Sequence, residues 1–261
     1  MTRQVHGDAS FAKYIEHGAY HWREIGHGLL SHNAFTAERY RTVADRAQLS
    51  TAQRVLDYGC GDGALLGVVH TRYAGIPLDL HGFDPNELAV DLARATLARH
   101  RVPATIHTSL SSMPSGCFDA VLCTEVIEHA SAPNAMLCDI ARVLKPGGRL
   151  VMTTPIRLAE FPADPNHVRE WFPGEFRQLF SDDRWLVKAH DSIVPSAAVE
   201  AYFWRPPVFA RVPVFRLLCN VLSAFFDVNA LSWLRVRPHL FMMQVVVADK
   251  AWSVTTGWGT S

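Results

Sequence analysis

The fold is decided by the stretch Val55-Leu56-Asp57-Tyr58-Gly59-Cys60-Gly61-Asp62-Gly63. Its apolar start predicts a buried strand, and its alternate glycines predict a tight turn that opens a helix. Because glycine has no Cβ atom and adopts positive φ at little cost, a ligand can approach the backbone of such a turn closely. The stretch therefore indicates a site for a nucleotide-like cofactor, although a similar glycine run also occurs in ordinary tight turns.

A second acidic residue follows the next apolar run. That run, Leu78–Phe83, leads into Asp84, near the offset of about 20 residues expected for an acid that binds a ribose. The turn lacks the Gly-x-Gly-x-x-Gly spacing of dinucleotide sites and has a carboxylate, Asp57, just before it. An ammonium or sulfonium group suits this carboxylate better than a pyrophosphate does.

The remainder of the chain alternates apolar runs with helical stretches such as Glu87–His100 and Pro133–Leu144. This alternation predicts an α/β fold with a doubly wound, mostly parallel sheet and helices on both faces. In such sheets ligands bind beyond the carboxyl ends of the strands. The glycine turn, Asp84 and the segment after Cys123 are therefore expected to meet at one edge.

Composition limits the function classes. The 261 residues carry 25 basic and 25 acidic side chains, so the electrostatic footprint of a nucleic-acid-binding protein is missing. There are five cysteines, and Cys60, Cys123 and Cys138 fall in or beside predicted core elements, which favours a reduced, cytoplasmic setting. The first ten residues lack the pattern of a signal peptide.

Two further motifs give a resemblance to a known class. Phe118–Cys123 reads as a core strand, and Leu144-Lys145-Pro146-Gly147-Gly148 reads as a turn before the next strand. With the glycine turn and Asp84, these motifs resemble, in their order, the class I S-adenosylmethionine-dependent methyltransferases over roughly residues 50–190. The resemblance implies a Rossmann-like seven-stranded sheet and S-adenosylmethionine as cofactor.

Position at the predicted strand ends gives the expected cofactor contacts. Ser109 could equally be a plain loop hydroxyl, since the matching position in the family often carries an acid or an amide. The expected contacts are Asp57, Gly59, Gly61 and Gly63 around the amino-acid tail, Asp84 at the ribose, Ser109 and Leu110 near the adenine, and Thr124 and Glu125 beneath the methionine part.

The stretch Thr124-Glu125-Val126-Ile127-Glu128-His129 follows the predicted fourth strand at the same edge. If it forms one helical turn, Glu125, Glu128 and His129 project from one side, at i, i+3 and i+4. His167, on a later loop, could add a fourth ligand. Carboxylate oxygens with imidazole suit Mg²⁺ or Mn²⁺, but a Glu-His pair here could also merely close the pocket.

The four-residue set resembles that of two families, the 3′-terminal 2′-O-methyltransferases of small RNAs and the O-methyltransferases of ubiquinone biosynthesis. The resemblance implies Glu125, Glu128, His129 and His167 as ligands of a divalent ion. A bound cation lowers the pKa of a hydroxyl and orients it. Either histidine, if not a ligand, could be the general base, and the sequence does not rank the two.

The arm before the predicted core and the insertion after it are predicted to be helical. Leu29, Leu30, Phe35, Tyr40 and Val43 lie at roughly helical spacing and predict an N-terminal arm over the cofactor cleft. The predicted organisation is an arm (1–50), a cofactor-binding core (51–192), an apolar helical insertion (193–239), a closing strand (240–250) and a flexible tail (251–261).

The insertion is expected to cap the acceptor pocket or to form a homodimer interface; a membrane-surface role is the third option. A membrane-spanning helix is not expected there, because charged residues and prolines interrupt every long apolar stretch. These interruptions are Arg205, Pro206, Pro207, Arg211, Pro213, Arg216, Asp227 and Arg235.

The function expected from the sequence is a metal-assisted O-methyltransferase that acts on a hydroxyl of a vicinal diol. A sugar or oligosaccharide is the preferred acceptor, since clustered aromatic side chains can stack on sugar rings. The alternatives are a catechol, ubiquinone-precursor or natural-product O-methyltransferase, then an RNA 2′-O-methyltransferase, then a cofactor-binding partner subunit without catalysis. The acid and imidazole groups at the site edge speak against the last of these.

Overall fold

The computed structural model describes residues 12–162, 164–203, 214–229 and 241–252. Within these ranges seven strands form one sheet in the order β3-β2-β1-β4-β5-β7-β6. Strands β1 to β5 pair in parallel, and β7 runs antiparallel to β5 and to β6. The strands are β1 (Arg54–Tyr58), β2 (Asp79–Phe83), β3 (Thr105–His107), β4 (Phe118–Thr124), β5 (Leu144–Pro155), β6 (Trp185–Pro195) and β7 (Phe241–Lys250).

Helices cover both faces of the sheet, which confirms the predicted doubly wound α/β fold. On one face α3, α4 and α5 bury side chains such as Val43, Leu66 and Val90; on the other, α6 and α7 bury Leu137 and Phe176. The described helices are α1 (Ala12–His17), α2 (Tyr20–Ile25), α3 (Ala34–Ala47), α4 (Ala64–Arg72), α5 (Glu87–Arg99), α6 (Pro133–Val143), α7 (Pro173–Gln178), α8 (Ser196–Phe203) and α9 (Val214–Phe226).

The strand order reverses between β1 and β4, because β1 has β2 on one side and β4 on the other. In open α/β sheets such a reversal leaves a crevice outside the carboxyl ends of the two strands. Asp57 lies near the end of β1, Asp84 directly follows β2, and Thr124 ends β4. The topology therefore brings the predicted cofactor residues to one edge.

The arm differs from the prediction in its details. Leu29 and Leu30 lie in a turn, and Leu30 is 78% exposed, so the predicted helix through these residues is wrong. Helix α3 begins only after Asn33, whose side-chain oxygen accepts hydrogen bonds from the backbone N–H groups of Phe35 (3.1 Å) and Thr36 (3.4 Å). Such an N-cap fixes where a helix starts, whatever the spacing of leucines before it.

Two strand boundaries also differ. Strand β5 begins at Leu144, so the predicted turn lies inside this strand as a bulge. Phe118 of β4 pairs with Leu144, whereas Ala120 pairs with Arg149. Strand β6 runs beyond the predicted end at Ala189 to Pro195, so the predicted start of the insertion at residue 193 falls inside this strand. As an edge strand, β6 carries polar residues that weaken its apolar pattern.

One cysteine prediction is wrong. Cys60 and Cys123 are buried, whereas Cys138 is exposed. It lies on α6 next to the buried Leu137, on the side of the helix that faces solvent. The predicted closing strand matches β7 closely, and residues 253–261 of the predicted tail lie outside the described residues.

Candidate active site

The glycine turn connects β1 to α4 and uses the conformational freedom of its glycines. Gly59, Gly61 and Gly63 have φ of 78°, 53° and 80°, a region that other residues enter only at a cost. A Cβ atom on Gly59 would lie 2.4 Å from Val126 Cγ2, in the segment after β4. The backbone N–H groups of Gly59 and Cys60 donate to the carbonyl oxygen of Phe83, which holds the turn against the end of β2.

Three buried carboxylates surround this turn: Asp57, Asp62 and Asp84. Asp84 accepts hydrogen bonds from the backbone N–H groups of Gly61 (3.1 Å) and Asn86 (2.9 Å), and burial raises its pKa. The pKa of Asp57 is raised to about 8, mainly by burial and to a lesser extent by the nearby Asp84 and Asp62. The turn is thus a strongly acidic pocket, in which a cationic ligand would offset the mutual repulsion.

The arm lies over the glycine turn, as the sequence predicts. Asp62 Oδ2 accepts from the backbone N–H of His21 (3.0 Å), and the Asp62 carbonyl accepts from Trp22 Nε1 (2.7 Å). The hydroxyl of Tyr14 lies 2.2 Å from the position that a Cβ atom on Gly61 would take. Neither Asp62 nor Tyr14 was predicted as a site residue, although an aspartate inside the glycine run was a visible signal.

The segment after β4 is not the predicted α-helical turn. Glu125 has φ of +56°, and only Ile127–His129 forms a short 3₁₀ helix. As a result Glu125 contacts Arg39 of α3, with 3.6 Å between Oε2 and Arg39 Nη1, and accepts from Thr153 Oγ1 (3.3 Å). Arg39 was not predicted as a site residue, because only the folding of α3 over the sheet brings it here.

Glu128 is completely buried next to this segment. Its Oε2 accepts from Thr154 Oγ1 (3.1 Å), and its carbonyl oxygen accepts from the backbone N–H groups of Val168 and Arg169. Burial raises the pKa of Glu128 well above its ordinary value, and Glu125 adds to this shift. Within the described part of the chain, Oε1 of Glu128 is buried and has no hydrogen-bond partner.

Glu128, His129 and His167 form a compact group. One ligand atom from each lies within 4.8 Å of the other two, and Glu125 is not part of this group. The structure thus brings together three of the four predicted metal ligands. The two imidazole rings meet edge to face, with centroids 5.0 Å apart.

Both imidazoles have a hydrogen-bond acceptor at Nδ1. His129 Nδ1 lies 3.0 Å from the carbonyl oxygen of Asn166, and His167 Nδ1 lies 2.7 Å from Oε1 of the buried Glu170. Because both partners accept, each Nδ1 carries the hydrogen, and Nε2 of the neutral ring keeps its lone pair. Burial lowers the pKa of His129, which favours the neutral ring. The sequence did not predict the role of Glu170.

The remaining predicted cofactor residues differ in environment. The hydroxyl of Thr124 is buried and without a partner among the described residues. Ser109 is exposed, and its hydroxyl pairs with Ser111 Oγ (2.8 Å). Leu110 belongs to the apolar core, and its carbonyl oxygen accepts from Arg142 (2.8 Å). Their cofactor contacts stay predictions.

Comparison with known proteins places this arrangement in context. Residues 56–152 match a family model described as a methyltransferase domain. A ubiquinone biosynthesis O-methyltransferase from Thiobacillus denitrificans is 31% identical over 158 residues, which are 58% of this chain and 65% of that protein. The protein of the same name from Xanthomonas oryzae pv. oryzae is 35% identical over 133 residues, which are 47% and 51% of the two chains. This chain therefore spans between about half and two thirds of the length of these curated relatives.

A solved structure shares the fold. Phosphoethanolamine N-methyltransferase 2 from Haemonchus contortus, in complex with phosphomonomethylethanolamine and S-adenosylhomocysteine, superposes with a TM-score of 0.66. The match covers 96% of this chain and 61% of that chain at 14% identity. At this identity the likeness concerns the fold alone.

Proposed function

Because the chain carries a class I S-adenosylmethionine-dependent methyltransferase domain, we propose that it methylates a phenolic hydroxyl of a catechol-type aromatic acceptor. In this proposal Glu128, His129 and His167 hold a divalent cation beside the acceptor. The observation that carries it is the convergence of these three side chains at the sheet edge that also holds the acidic glycine turn.

The proposed acceptor is the alternative that the sequence left open. The relatives from Thiobacillus denitrificans and Xanthomonas oryzae are named for O-methylation in ubiquinone biosynthesis. A catechol or ubiquinone precursor accords with that name better than the sugar diol that the sequence alone favoured. A catechol also keeps the chemical feature on which the sugar hypothesis rested, two neighbouring hydroxyls.

The acidic turn fits the proposed cofactor. S-adenosylmethionine supplies the methyl group from a positively charged sulfonium, and its amino-acid part adds an ammonium. Asp57 and Asp62 would face these charges, and Asp84 would accept from the ribose hydroxyls. The glycine turn exposes backbone next to them, and glycine adopts the φ values found there without the cost that other residues incur.

The second group fits a divalent cation. The buried Oε1 of Glu128 has no partner within the described residues, and a cation would satisfy it. The hydrogen bonds to Asn166 and Glu170 leave an Nε2 lone pair on each imidazole. When bound, such a cation lowers the pKa of an acceptor hydroxyl and orients it.

The donor set also narrows the choice of metal. Two imidazoles and one carboxylate suit Mn²⁺, Fe²⁺, Co²⁺ or Zn²⁺, whereas Mg²⁺ prefers oxygen ligands throughout. We therefore favour Mn²⁺ over Mg²⁺, and the sequence had left both open. Glu125 pairs with Arg39 and stands outside the proposed ligand set.

Proximity supplies the remainder of the catalysis. The acceptor oxygen bonds the methyl carbon while the carbon–sulfur bond breaks, so the sulfonium becomes a thioether and the hydroxyl proton must leave. Because both imidazoles would be ligands in this proposal, the proton would pass to solvent water, and His129 or His167 would be its base only in a site without the metal. Alignment of the two reacting groups contributes much of the rate.

The test begins with EDTA-treated protein. Calorimetric titration with S-adenosylhomocysteine, then with MnCl₂ and MgCl₂, measures the two sites separately. Turnover is then compared on 3,4-dihydroxybenzoate, on 3-hydroxybenzoate, which lacks the second hydroxyl, and on a methyl mannoside. We expect both sites to bind, Mn²⁺ more tightly than Mg²⁺, with methylation of the dihydroxy compound only.

The outcomes separate the parts of the proposal. Cofactor binding without metal binding would remove the cation from the mechanism and leave the imidazoles as bases. Methylation of the mannoside alone would restore the sugar acceptor. Cofactor binding without turnover of any of these compounds would favour the cofactor-binding partner subunit, and absence of cofactor binding would overturn the role proposed for the acidic glycine turn.

A further inference from the structure

Helix α9 buries two polar residues and exposes five of its apolar residues. Cys219, Asn220 and Ser223 are its buried residues. Five apolar side chains are exposed on the other side of the helix, and we call them the apolar face of α9. They are Val214 (67% exposed), Phe215 (45%), Leu218 (57%), Phe225 (57%) and Phe226 (66%).

Hydrogen bonds fix this orientation. Asn220 Nδ2 donates to the carbonyl oxygens of Leu29 (2.7 Å) and His32 (3.0 Å), and its Oδ1 accepts from the Tyr202 hydroxyl (2.5 Å). The hydroxyl of Ser223 pairs with His32 Nε2 at 2.9 Å. Rotation of α9 to bury its phenylalanines would break these bonds and leave buried polar groups unpaired.

Arg41 adds to this attachment. Its guanidinium donates to the hydroxyl and to the carbonyl oxygen of Ser223, both at 3.1 Å. It also pairs with Asp227 at 2.6 Å, and Arg72 pairs with the same carboxylate at 2.8 Å. The acid next to the apolar face is thus already neutralised by two arginines.

We propose that the apolar face of α9 binds an anionic membrane surface. A helix with clustered phenylalanine and leucine side chains and neighbouring arginines lies in the plane of the lipid headgroups. At 13 residues, α9 is about 20 Å long, shorter than the hydrocarbon core of about 30 Å. No helix in the described ranges is both long and apolar enough to cross a bilayer.

The charge of this region complements anionic lipid. Residues 204–240 contain five arginines and a single carboxylate, in a chain whose formal net charge is zero. Among these arginines, Arg216 belongs to the described residues. It lies on α9, with its guanidinium carbon 5.2 Å from the centre of the Tyr202 ring. The carboxylate is Asp227, and the arginines are Arg205, Arg211, Arg216, Arg235 and Arg237.

A second copy of this chain is a poorer occupant. A two-fold dimer pairs a surface patch with itself, so it would bring Arg216 of both copies into one interface, and α9 has no carboxylate to pair with them. Like charges opposed in this way oppose association. An anionic bilayer offers both an apolar layer for the phenylalanines and negative charge for the arginines, and this complementarity decides between the two.

The proposal is independent of the reaction proposed above. Helix α9 packs on α3, and α3 carries Arg39, which contacts Glu125 at the site edge. Membrane attachment through α9 would therefore hold the site close to apolar acceptors. Loss of turnover would not affect the membrane proposal, because lipid binding is measured without substrate.

The test is flotation of the full chain with vesicles of phosphatidylcholine containing phosphatidylglycerol, and with pure phosphatidylcholine. The variant Phe225→Ser/Phe226→Ser weakens the apolar face. The matched control is Phe161→Ser, because Phe161 is 73% exposed but lies outside α9. S-adenosylhomocysteine binding and circular dichroism report whether each variant folds.

We expect the protein to float with the anionic vesicles and to bind at least about tenfold less to pure phosphatidylcholine. The double variant should lose about tenfold or more in binding to the anionic vesicles, whereas the control should bind like the wild type. Equal binding by the folded double variant, or no binding to either vesicle, would refute the proposal. A dimer in light scattering that the double variant dissociates would assign the apolar face to a second copy instead.

Discussion

The two edges of the proposed catalytic cleft are built differently. At the glycine turn, the carboxylates Asp57, Asp62 and Asp84 are buried close together, so that burial and mutual repulsion raise the pKa of Asp57. On the other side, His129 after β4 and His167 after β5 each have a hydrogen-bond acceptor at Nδ1. The first edge is arranged to receive positive charge from a ligand, whereas the second holds its own donor atoms in fixed directions.

The two edges are nevertheless one unit. Val126 follows Glu125 in the chain and fills the space beside Gly59, where a Cβ atom would lie 2.4 Å from it. A shift of the segment after β4 therefore changes the glycine turn. Variants at the two edges should be distinguishable only if each leaves this contact intact.

The largest effect is expected for Glu128→Gln. We expect kcat/KM on the acceptor to fall by at least about 100-fold, because the proposed metal would lose a charged ligand. The affinity for S-adenosylhomocysteine should change less than about twofold, since glutamine keeps the shape of a buried group and the contact with Thr154. Steady-state kinetics and calorimetry measure the two quantities. Glu200→Gln, at an exposed position of α8, is the control, and wild-type turnover of E128Q would refute the metal assignment.

The next-largest effect is expected for the hydrogen-bond acceptor at Nδ1 of His167. Glu170→Ala should lower Mn²⁺ affinity by about 10–100-fold, because His167 loses the partner that fixes its tautomer. Glu170→Gln should be milder, since the amide oxygen can still accept from Nδ1. Calorimetric Mn²⁺ titration of both variants is the measurement. Equal losses in E170A and E170Q would indicate that the charge of Glu170, and not its acceptor position, matters.

Cofactor binding at the glycine turn should depend on pH through Asp57. Below a pH of about 8 Asp57 is largely protonated in the ligand-free protein, so a cationic cofactor must displace that proton. Affinity for S-adenosylmethionine should therefore rise with pH, by up to about tenfold per unit, and level off above pH 8. Calorimetry in buffers of different ionisation enthalpy detects the released proton, and Asp57→Asn should abolish the slope. A flat profile for the wild type would contradict the raised pKa.

The same group affects stability with a definite sign. The pKa of Asp57 is raised in the folded state from an ordinary value of 3.8. The ligand-free fold is therefore favoured below that value and loses stability as pH rises toward about 8. Thermal unfolding of the wild type and of Asp57→Asn, without cofactor, should converge at low pH and separate as pH increases.

The smallest effect is expected for Ser109→Ala. Because the Ser109 hydroxyl is exposed and already pairs with Ser111, its removal should change cofactor affinity by no more than about threefold. Ser111→Ala serves as the control, since it removes the same hydrogen bond from the other side. A tenfold loss confined to S109A would establish the adenine contact predicted from the sequence.

Local sequence signals were sufficient where one segment forms a feature alone. The glycine run and the apolar runs beside it predicted the turn and the sheet edge, because backbone conformation and strand burial depend on neighbouring residues. The α-helical turn after β4 was mispredicted, since spacing alone does not reveal the left-handed conformation of Glu125. The exposure of Cys138 was mispredicted for a related reason, because the burial of the neighbouring Leu137 does not determine which side of the helix Cys138 occupies.

The sequence by itself determined the doubly wound sheet, the position of the cleft and the acidic character of the glycine turn. Each of these follows from residues close together in the chain. Only the tertiary structure decided that Glu125 pairs with Arg39, that Glu170 holds His167, and that α9 turns its phenylalanines outward. The pairing with Arg39 and the orientation of α9 depend on contacts between distant segments, and the partner of His167 depends on how its loop folds, which neither spacing nor composition records.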